Sequence, residues 1–374
     1  MLVGIIGFVV ILVLVIMIHE AGHFLVAKRF GMKIEEYFLG FGPKIWSFRR
    51  GETEYGVKAI IVGGYVKIAG MNPYETPKAE DLPRTYGAKS MWKRALVILA
   101  GPVSHFVLAF LALWVYLGFI GAPTDFTTQI TGVVAQLDGA DSPAHQSGLL
   151  PGDEVLAIDG TRLAPDAVVD YTRAHVGEPI NLTIEREGQT EVITVTPVLS
   201  EVDGEQVGRL GVSLGPGSVV ARDPAGVVGG AREAAVGVAD ATGLIVREIG
   251  RVFGPEGIGR LGKLVFTDTQ RAQTDPVSLV GAAQASGAFT QQGNLDRLIL
   301  LFVSFNIFIG LMNLLPLPPF DGGHLAVLVI EKVRKKPVDM RKLIPVSAVV
   351  LALFTLFGLT VMYLDIFKPV SFAP

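Results

Sequence analysis

Four apolar segments constrain this chain more than any other feature, because each is long enough to cross about 30 Å of hydrocarbon at about 1.5 Å per residue. They run from Leu2 to Ala27, Ala95 to Phe119, Leu298 to Leu315 and Pro345 to Phe367. Inside lipid every backbone polar group must find a partner within the chain, so runs this long and evenly apolar are read as helices. The first run begins at residue 2 with no basic stretch before it and no small-residue cleavage site after it, which makes it a span rather than a signal peptide. Composition agrees: half of the 374 residues are hydrophobic and 18% are charged, against about one quarter charged in an average soluble domain. The absence of cysteine excludes disulfides and thiolate chemistry, and leaves His and carboxylates as metal ligands. A formal charge of −3 excludes the uniformly basic surface that nucleic-acid binding requires.

Loop charge predicts the orientation. Residues 28–94 carry 13 Lys and Arg against 7 Asp and Glu, and residues 331–342 carry 6 against 2. Residues 120–295 carry 11 basic and 22 acidic groups. Basic loops next to spans stay in the cytoplasm, so both termini and the long acidic segment are expected on the outer side.

The acidic segment reads as a soluble module. Gln129 to Leu137 alternates like a strand, and Ser142 to Leu149 reads as a short helix closed by Gly148. Leu150-Pro151-Gly152-Asp153-Glu154-Val155-Leu156-Ala157-Ile158-Asp159-Gly160 is a turn, a strand and a turn. Asp166 to His175 has helical spacing, and Ile180 to Glu185 and Glu191 to Val198 alternate about Gly188. This order, with its Gly-Leu-Leu-Pro-Gly-Asp-Glu stretch, resembles a PDZ domain of the bacterial protease type. The resemblance implies a groove between the Asp166 to His175 helix and a strand edge, where an extended peptide adds as a further strand. The alternative is a β-rich outer domain without a groove. Asp223 to Phe253 reads as a helix, lying at the membrane surface or packed beneath the module.

The chemistry stands near the end of the first span, in His19-Glu20-Ala21-Gly22-His23. Helical residues four apart stack one turn from each other, so both imidazoles can reach one ion while Glu20 stands beside them as a base. Two His and a Glu in an apolar run each cost about 2–3 kcal/mol or more unless satisfied, which marks the cluster as a functional site. The structural alternative is a helix that ends early, with the cluster in the headgroups. A hydrolytic zinc site has three protein ligands and an open position. The residues open four choices for the third: His105, Asp321, His324 and Asp365. Asp321 follows Asn313-Leu314-Leu315-Pro316-Leu317-Pro318-Pro319-Phe320, whose prolines stop the helix and leave backbone groups that are tolerable at membrane depth only beside protein or water.

Together, H-E-x-x-H in the first span and N-x-x-P-x-P-x-x-D-G after the third resemble the site-2 protease family of intramembrane zinc metalloproteases. The PDZ-like module places the resemblance in the regulator of sigma-E protease branch. It implies one Zn2+ held by His19, His23 and Asp321, with Glu20 as the catalytic general base. It also implies that Asn313 helps hold the substrate. Val57 to Ile68, with Gly63-Gly64-Tyr65 at its centre, matches the family's membrane-dipping hairpin, which pairs with an unwound substrate; an ordinary cytoplasmic turn is the alternative. One stretch departs: Ala100-Gly101-Pro102-Val103-Ser104-His105 ends in His where the family more often has Asn. Hydrogen bonding between helices is one reading of His105, and competition for the metal is the other.

The expected architecture is a polytopic α-helical membrane protein with four transmembrane helices, a cytoplasmic-side membrane-dipping β-hairpin and an inserted extracytoplasmic PDZ-like α+β domain. Residues 1–119 form the first half of the membrane core, including the hairpin at about 54–69. Residues 125–200 form the PDZ-like domain, 201–296 an extracytoplasmic connector and 297–374 the second half of the core. The resemblance implies a multi-pass protein of the bacterial cytoplasmic membrane that cuts a single-span protein such as an anti-sigma factor, already trimmed by an upstream protease. A non-catalytic membrane-anchored PDZ receptor or metal-sensing scaffold is the alternative, though such a protein has no use for the glutamate between the two His.

Overall fold

The computed structural model describes residues 2–72, 74, 76–163, 165–202, 205–272, 274–291 and 294–370. α1 (Leu2–Arg29) carries Lys28 and Arg29 in its last turn, where cations meet unpaired carbonyls, and Gly31 follows at φ 64°. β1 (Ile34–Arg50) and β2 (Thr53–Ile68) then pair about a turn at Gly51, also at positive φ. Their register shifts repeatedly. Phe38 faces both Tyr65 and Gly56, and Leu39 faces both Gly64 and Val57, so the first half of β1 lies between the two halves of β2. The paired region therefore begins at Ile34, before the stretch about 54–69 expected from the sequence, and Gly63 and Gly64 lie where the two halves of β2, on either side of β1, join. α2 (Met91–Val115) completes the first part of the core.

Contacts divide the chain into two compact units. One comprises the chain up to Val115 and from Ala231 onward, the other Tyr116–Gly230. The second contains β3 (Ala122–Val133), β4 (Gln136–Leu137), β5 (Ala140–Asp141), α3 (Pro143–Gln146), β6 (Glu154–Ile158) and α4 (Pro165–Ala174). It continues with β7 (Ile180–Arg186), β8 (Gln189–Val195), β9 (Val198–Val202), β10 (Glu205–Arg209) and β11 (Val212–Asp223). Five strands form an antiparallel sheet in the order β11-β3-β6-β7-β8, with Ile130, Val155, Ile158, Ile180, Leu182 and Ile184 in its core. β11 falls in the stretch that the sequence reading assigns to the connector. Gly215, Pro216 and Gly217 interrupt its alternation, so no strand signal survives, yet its backbone pairs with β3 from Val133 to Ala122.

The remainder is helical: α5 (Gly226–Val252), α6 (Pro255–Phe266), α7 (Leu279–Gln291), α8 (Leu295–Asn313), α9 (Asp321–Arg334) and α10 (Ile344–Phe367). Among the described residues, four stretches are long and apolar enough to cross a membrane: Ile6–Arg29, Met91–Ile120, Leu295–Asn313 and Met340–Phe367. Small residues let them pack closely. A Cβ on Gly22 of α1 would stand 2.4 Å from the Ala100 carbonyl of α2, and one on Gly310 of α8 would stand 2.8 Å from the Phe106 ring. Beneath the site, Ala27, Met32, Ile34, Ile68, Ile98 and Leu328 form one buried cluster that ties α1, the hairpin, α2 and α9 together.

Candidate metal centre

α1 presents His19 and His23 on one face, with ring centroids 4.9 Å apart. The third group comes from about three hundred residues away in sequence. α8 ends at Asn313, the chain passes Pro316, Pro318 and Pro319, and α9 starts at Asp321. The turn is close-packed: a Cβ on Gly322 would stand 2.2 Å from the Leu315 carbonyl, and one on Gly323 would stand 2.5 Å from Pro318 N. Only residues without a side chain admit that approach, and it turns the Asp321 carboxylate back onto α1.

His19 Nε2 and His23 Nε2 each lie 3.3 Å from Asp321 Oδ2 and 3.3 Å from each other. A tetrahedral zinc site with bonds of about 2.05 Å has edges of about 3.3 Å, so these three atoms are spaced as three corners of such a site. Asp321 Oδ2 is buried without a hydrogen-bond donor. His23 Nδ1 donates to the Val97 carbonyl at 2.8 Å, which leaves Nε2 of a neutral ring bare and facing that oxygen. Lone pairs that converge in this way repel one another unless a cation or a shared proton joins them, and the donor set fits zinc. Among the described residues, His19, His23 and Asp321 are the group of metal-ligating side chains that comes together in this way.

The other candidates are placed elsewhere. His105 is buried, but its Nε2 meets His19 Nδ1 on the side of that ring away from Asp321, so it stands outside the triangle. Asp365 accepts from Arg271 and from the backbone of Ser278 and Gly281. His324 lines a cleft of about 500 Å³ beside the site. Tyr65 to Ile68 of β2 form one wall of that cleft, Pro318 and Pro319 another, and Ile344 and Ser347 of α10 a third. Asn313 is the last residue of α8.

Glu20 points toward β2. A Cβ on Gly64 would stand 3.2 Å from Glu20 Cγ, so the absent side chain there is what leaves room for the glutamate. Gly63 has φ 92°, a conformation open to glycine. Tyr65 is held from several directions: it stacks on Phe38 and Phe41, donates to Glu36, and accepts from Lys58 Nζ at 2.5 Å. Burial and the Glu36 carboxylate push its phenol well above the usual tyrosine range, so it stays neutral and acts as a donor.

One functional position escaped the sequence reading. A Cβ on Gly101 of α2 would stand 2.3 Å from His23 Nε2 and 2.8 Å from His19 Cε1. The signal that marks it is a glycine followed by Pro102 inside an apolar helix, a pair with poor helix propensity that only a close approach explains.

The comparisons with known proteins point the same way. A family model described as peptidase family M50 matches residues 7–357. The zinc metalloprotease Rip1 of Mycobacterium tuberculosis is 32% identical over 404 aligned residues, covering 98% of this chain and 98% of its own. The zinc metalloprotease RasP of Geobacillus kaustophilus is 30% identical over 442, again covering 98% of each. Among solved structures, the PDZ domain of the SdrC-like protein from Listeria monocytogenes covers 25% of this chain and 92% of its own at 21% identity and a TM-score of 0.21, too slight a likeness to bear on the fold.

Proposed function

Since the chain belongs to peptidase family M50, the site-2 protease family of zinc metalloproteases, we propose that it hydrolyses a peptide bond within the transmembrane segment of a single-span protein, with His19, His23 and Asp321 as the zinc ligands. The observation that carries this reading is the triangle of ligand atoms with 3.3 Å edges, assembled from two helices that the sequence separates. Zinc held there supplies Lewis acidity, which makes a water nucleophilic near neutral pH and polarises the scissile carbonyl. Glu20 takes the proton of the attacking water and delivers it to the leaving amine. A transmembrane helix satisfies its own carbonyls, so the substrate must unwind before it is cut. Asn313 and the β2 backbone at Gly63, Gly64 and Tyr65 are assigned to receiving the groups released, with the cleft along Tyr65 to Ile68 as the path of the extended strand.

His19 stands about 26 Å along its helix from Leu2 at about 1.5 Å per residue, so we assign the cut to the half of the bilayer nearest the basic loops, the cytoplasmic half. The outer module is assigned a PDZ-like role. On this assignment an extended peptide would add to the edge strand β11 on the side of α4, or the module would exclude intact ectodomains and admit trimmed stubs. An anti-sigma factor shortened by an upstream protease fits this substrate class.

The test is Glu20→Gln. The variant is expected to keep zinc at the wild-type stoichiometry and to abolish cleavage of a co-expressed single-span substrate, at least about 100-fold, as expected for loss of a general base. Cleavage at the wild-type rate sinks the catalytic assignment. Co-expression of the same substrate with and without its ectodomain tests the filter, and equal cutting of both removes that role from the module.

A further inference from the structure

Behind the ligand triangle, polar contacts form a chain across three helices. His19 Nδ1 on α1 lies 3.1 Å from His105 Nε2 on α2, and His105 Nδ1 lies 3.3 Å from Asn306 Oδ1 on α8. Asn306 Nδ2 lies 2.9 Å from the Phe302 carbonyl. His105 is 1% exposed and Asn306 is fully buried, so water does not complete these bonds. Gly310 brings α8 against this point, since a Cβ there would stand 3.2 Å from His105 Cβ.

The direction of every bond follows from the fixed end. A backbone carbonyl only accepts, so Asn306 presents its amide NH2 to Phe302 and its oxygen to His105. An amide oxygen also only accepts, so His105 Nδ1 carries the hydrogen, and Nε2 of the neutral ring is bare. A bare Nε2 must receive, so His19 Nδ1 carries the next hydrogen and its Nε2 is bare in turn. That Nε2 is the atom 3.3 Å from Asp321 Oδ2. His23 reaches the same state in one step, through the Val97 carbonyl.

We propose that Asn306 and His105 are positioning residues that fix the tautomer and ring orientation of His19, so that its Nε2 lone pair faces a divalent cation before the cation arrives. The assignment rests on the ligand set proposed above and deepens it. Helix association alone would explain a bond between α2 and α8, but it does not require the chain to end on the ligand with every donor and acceptor matched. Outer partners of this kind change metal affinity by about 10- to 100-fold when removed.

The experiment is a Zn2+ dissociation constant, measured by chelator competition on the purified full-length protein in detergent. Wild type is compared with His23→Ala, His105→Leu, His105→Gln, Asn306→Leu and the double leucine variant. His105→Leu is expected to weaken binding about 10- to 100-fold. His105→Gln keeps an acceptor for His19 and a donor for Asn306, and is expected to restore affinity to within a few fold. The double variant is expected to be no weaker than His105→Leu, because Asn306 acts through His105. Unchanged affinity in His105→Leu, additive losses in the double variant, or no rescue by glutamine overturns the proposal. Zinc retained by His23→Ala overturns the ligand set beneath it, whereas zinc lost in His23→Ala with no effect of His105→Leu overturns the relay alone. Should the leucine variants not fold, nitrogen-15 resonances of the zinc-free wild type decide the matter: hydrogen on His19 Nδ1 supports the relay, and hydrogen on Nε2 overturns it.

Discussion

A methyl group on Gly101 would enter the space that two imidazoles occupy, 2.3 Å from one and 2.8 Å from the other. Neither ring can retreat, because His23 is bonded to Val97 and His19 to His105. Gly101→Ala is therefore expected to splay the ligands and reduce zinc content of the purified protein to under half, at an overpacking cost of about 1–3 kcal/mol. Full zinc occupancy in that variant would show that the rings rearrange without loss. His19 and His23 were legible in the sequence because their spacing is local and the helix sets it. Gly101 was not, because what it must make room for stands on another helix, and composition records nothing of that distance.

Among whole elements, α10 and the segment before α7 are joined by a buried ion pair. Arg271 and Asp365 are 2% and 1% exposed, with Nη1 to Oδ1 at 2.7 Å. Asp365 Oδ2 also accepts from the backbone N–H of Ser278 at 2.7 Å and of Gly281 at 3.2 Å, the latter at the first turn of α7. Arg271 Nη2 meets the Pro276 carbonyl at 2.5 Å. Removing one partner leaves a buried charge unpaired, so Asp365→Ala is expected to destabilise by about 3–5 kcal/mol. Replacing both by leucine is expected to lose less than either single change, since no lone charge is left. Thermal unfolding in detergent reads both. A double variant as unstable as Asp365→Ala would place the stabilisation in the backbone bonds instead. Asp365 had been one of four candidates for the third ligand, since an acid in an apolar run signals need of a partner without naming it.

Over the whole molecule, the second unit carries its own electrostatic support. Asp153 is 1% exposed, and Arg186 meets it at 2.6 Å while the Leu150 N–H bonds to it at 2.8 Å. Burial alone would raise its carboxyl, but the bonds from Arg186 and Leu150 outweigh that and hold it below the usual aspartate range. The unfolded value lies near 3.9, so this contribution is fully present above about pH 5 and is lost as pH falls through the lower folded value. Hydrogen exchange at Leu182 and Ile184 in the full chain is expected to quicken as pH drops below about 4, after correction for intrinsic rates. Asp153→Asn is expected to quicken it already at neutral pH and flatten the dependence; an Asp153→Asn profile parallel to wild type would assign the acid sensitivity to other groups.

Much of the membrane part was legible from the chain alone. Hydrocarbon thickness and the need to pair every backbone group make a long apolar run a helix whatever its neighbours, and helical pitch places residues four apart on one face. The prolines after α8 likewise announce a break wherever they stand. What only tertiary structure decided is everything that depends on two distant stretches meeting. It chose Asp321 over His105, His324 and Asp365 for the triangle, set His105 behind His19 rather than in front of it, and paired β11 with β3 across its glycines and proline. Those outcomes rest on contacts whose partners lie tens to hundreds of residues apart. The energy that selects among them is set by distance and direction in space, and local patterning carries neither.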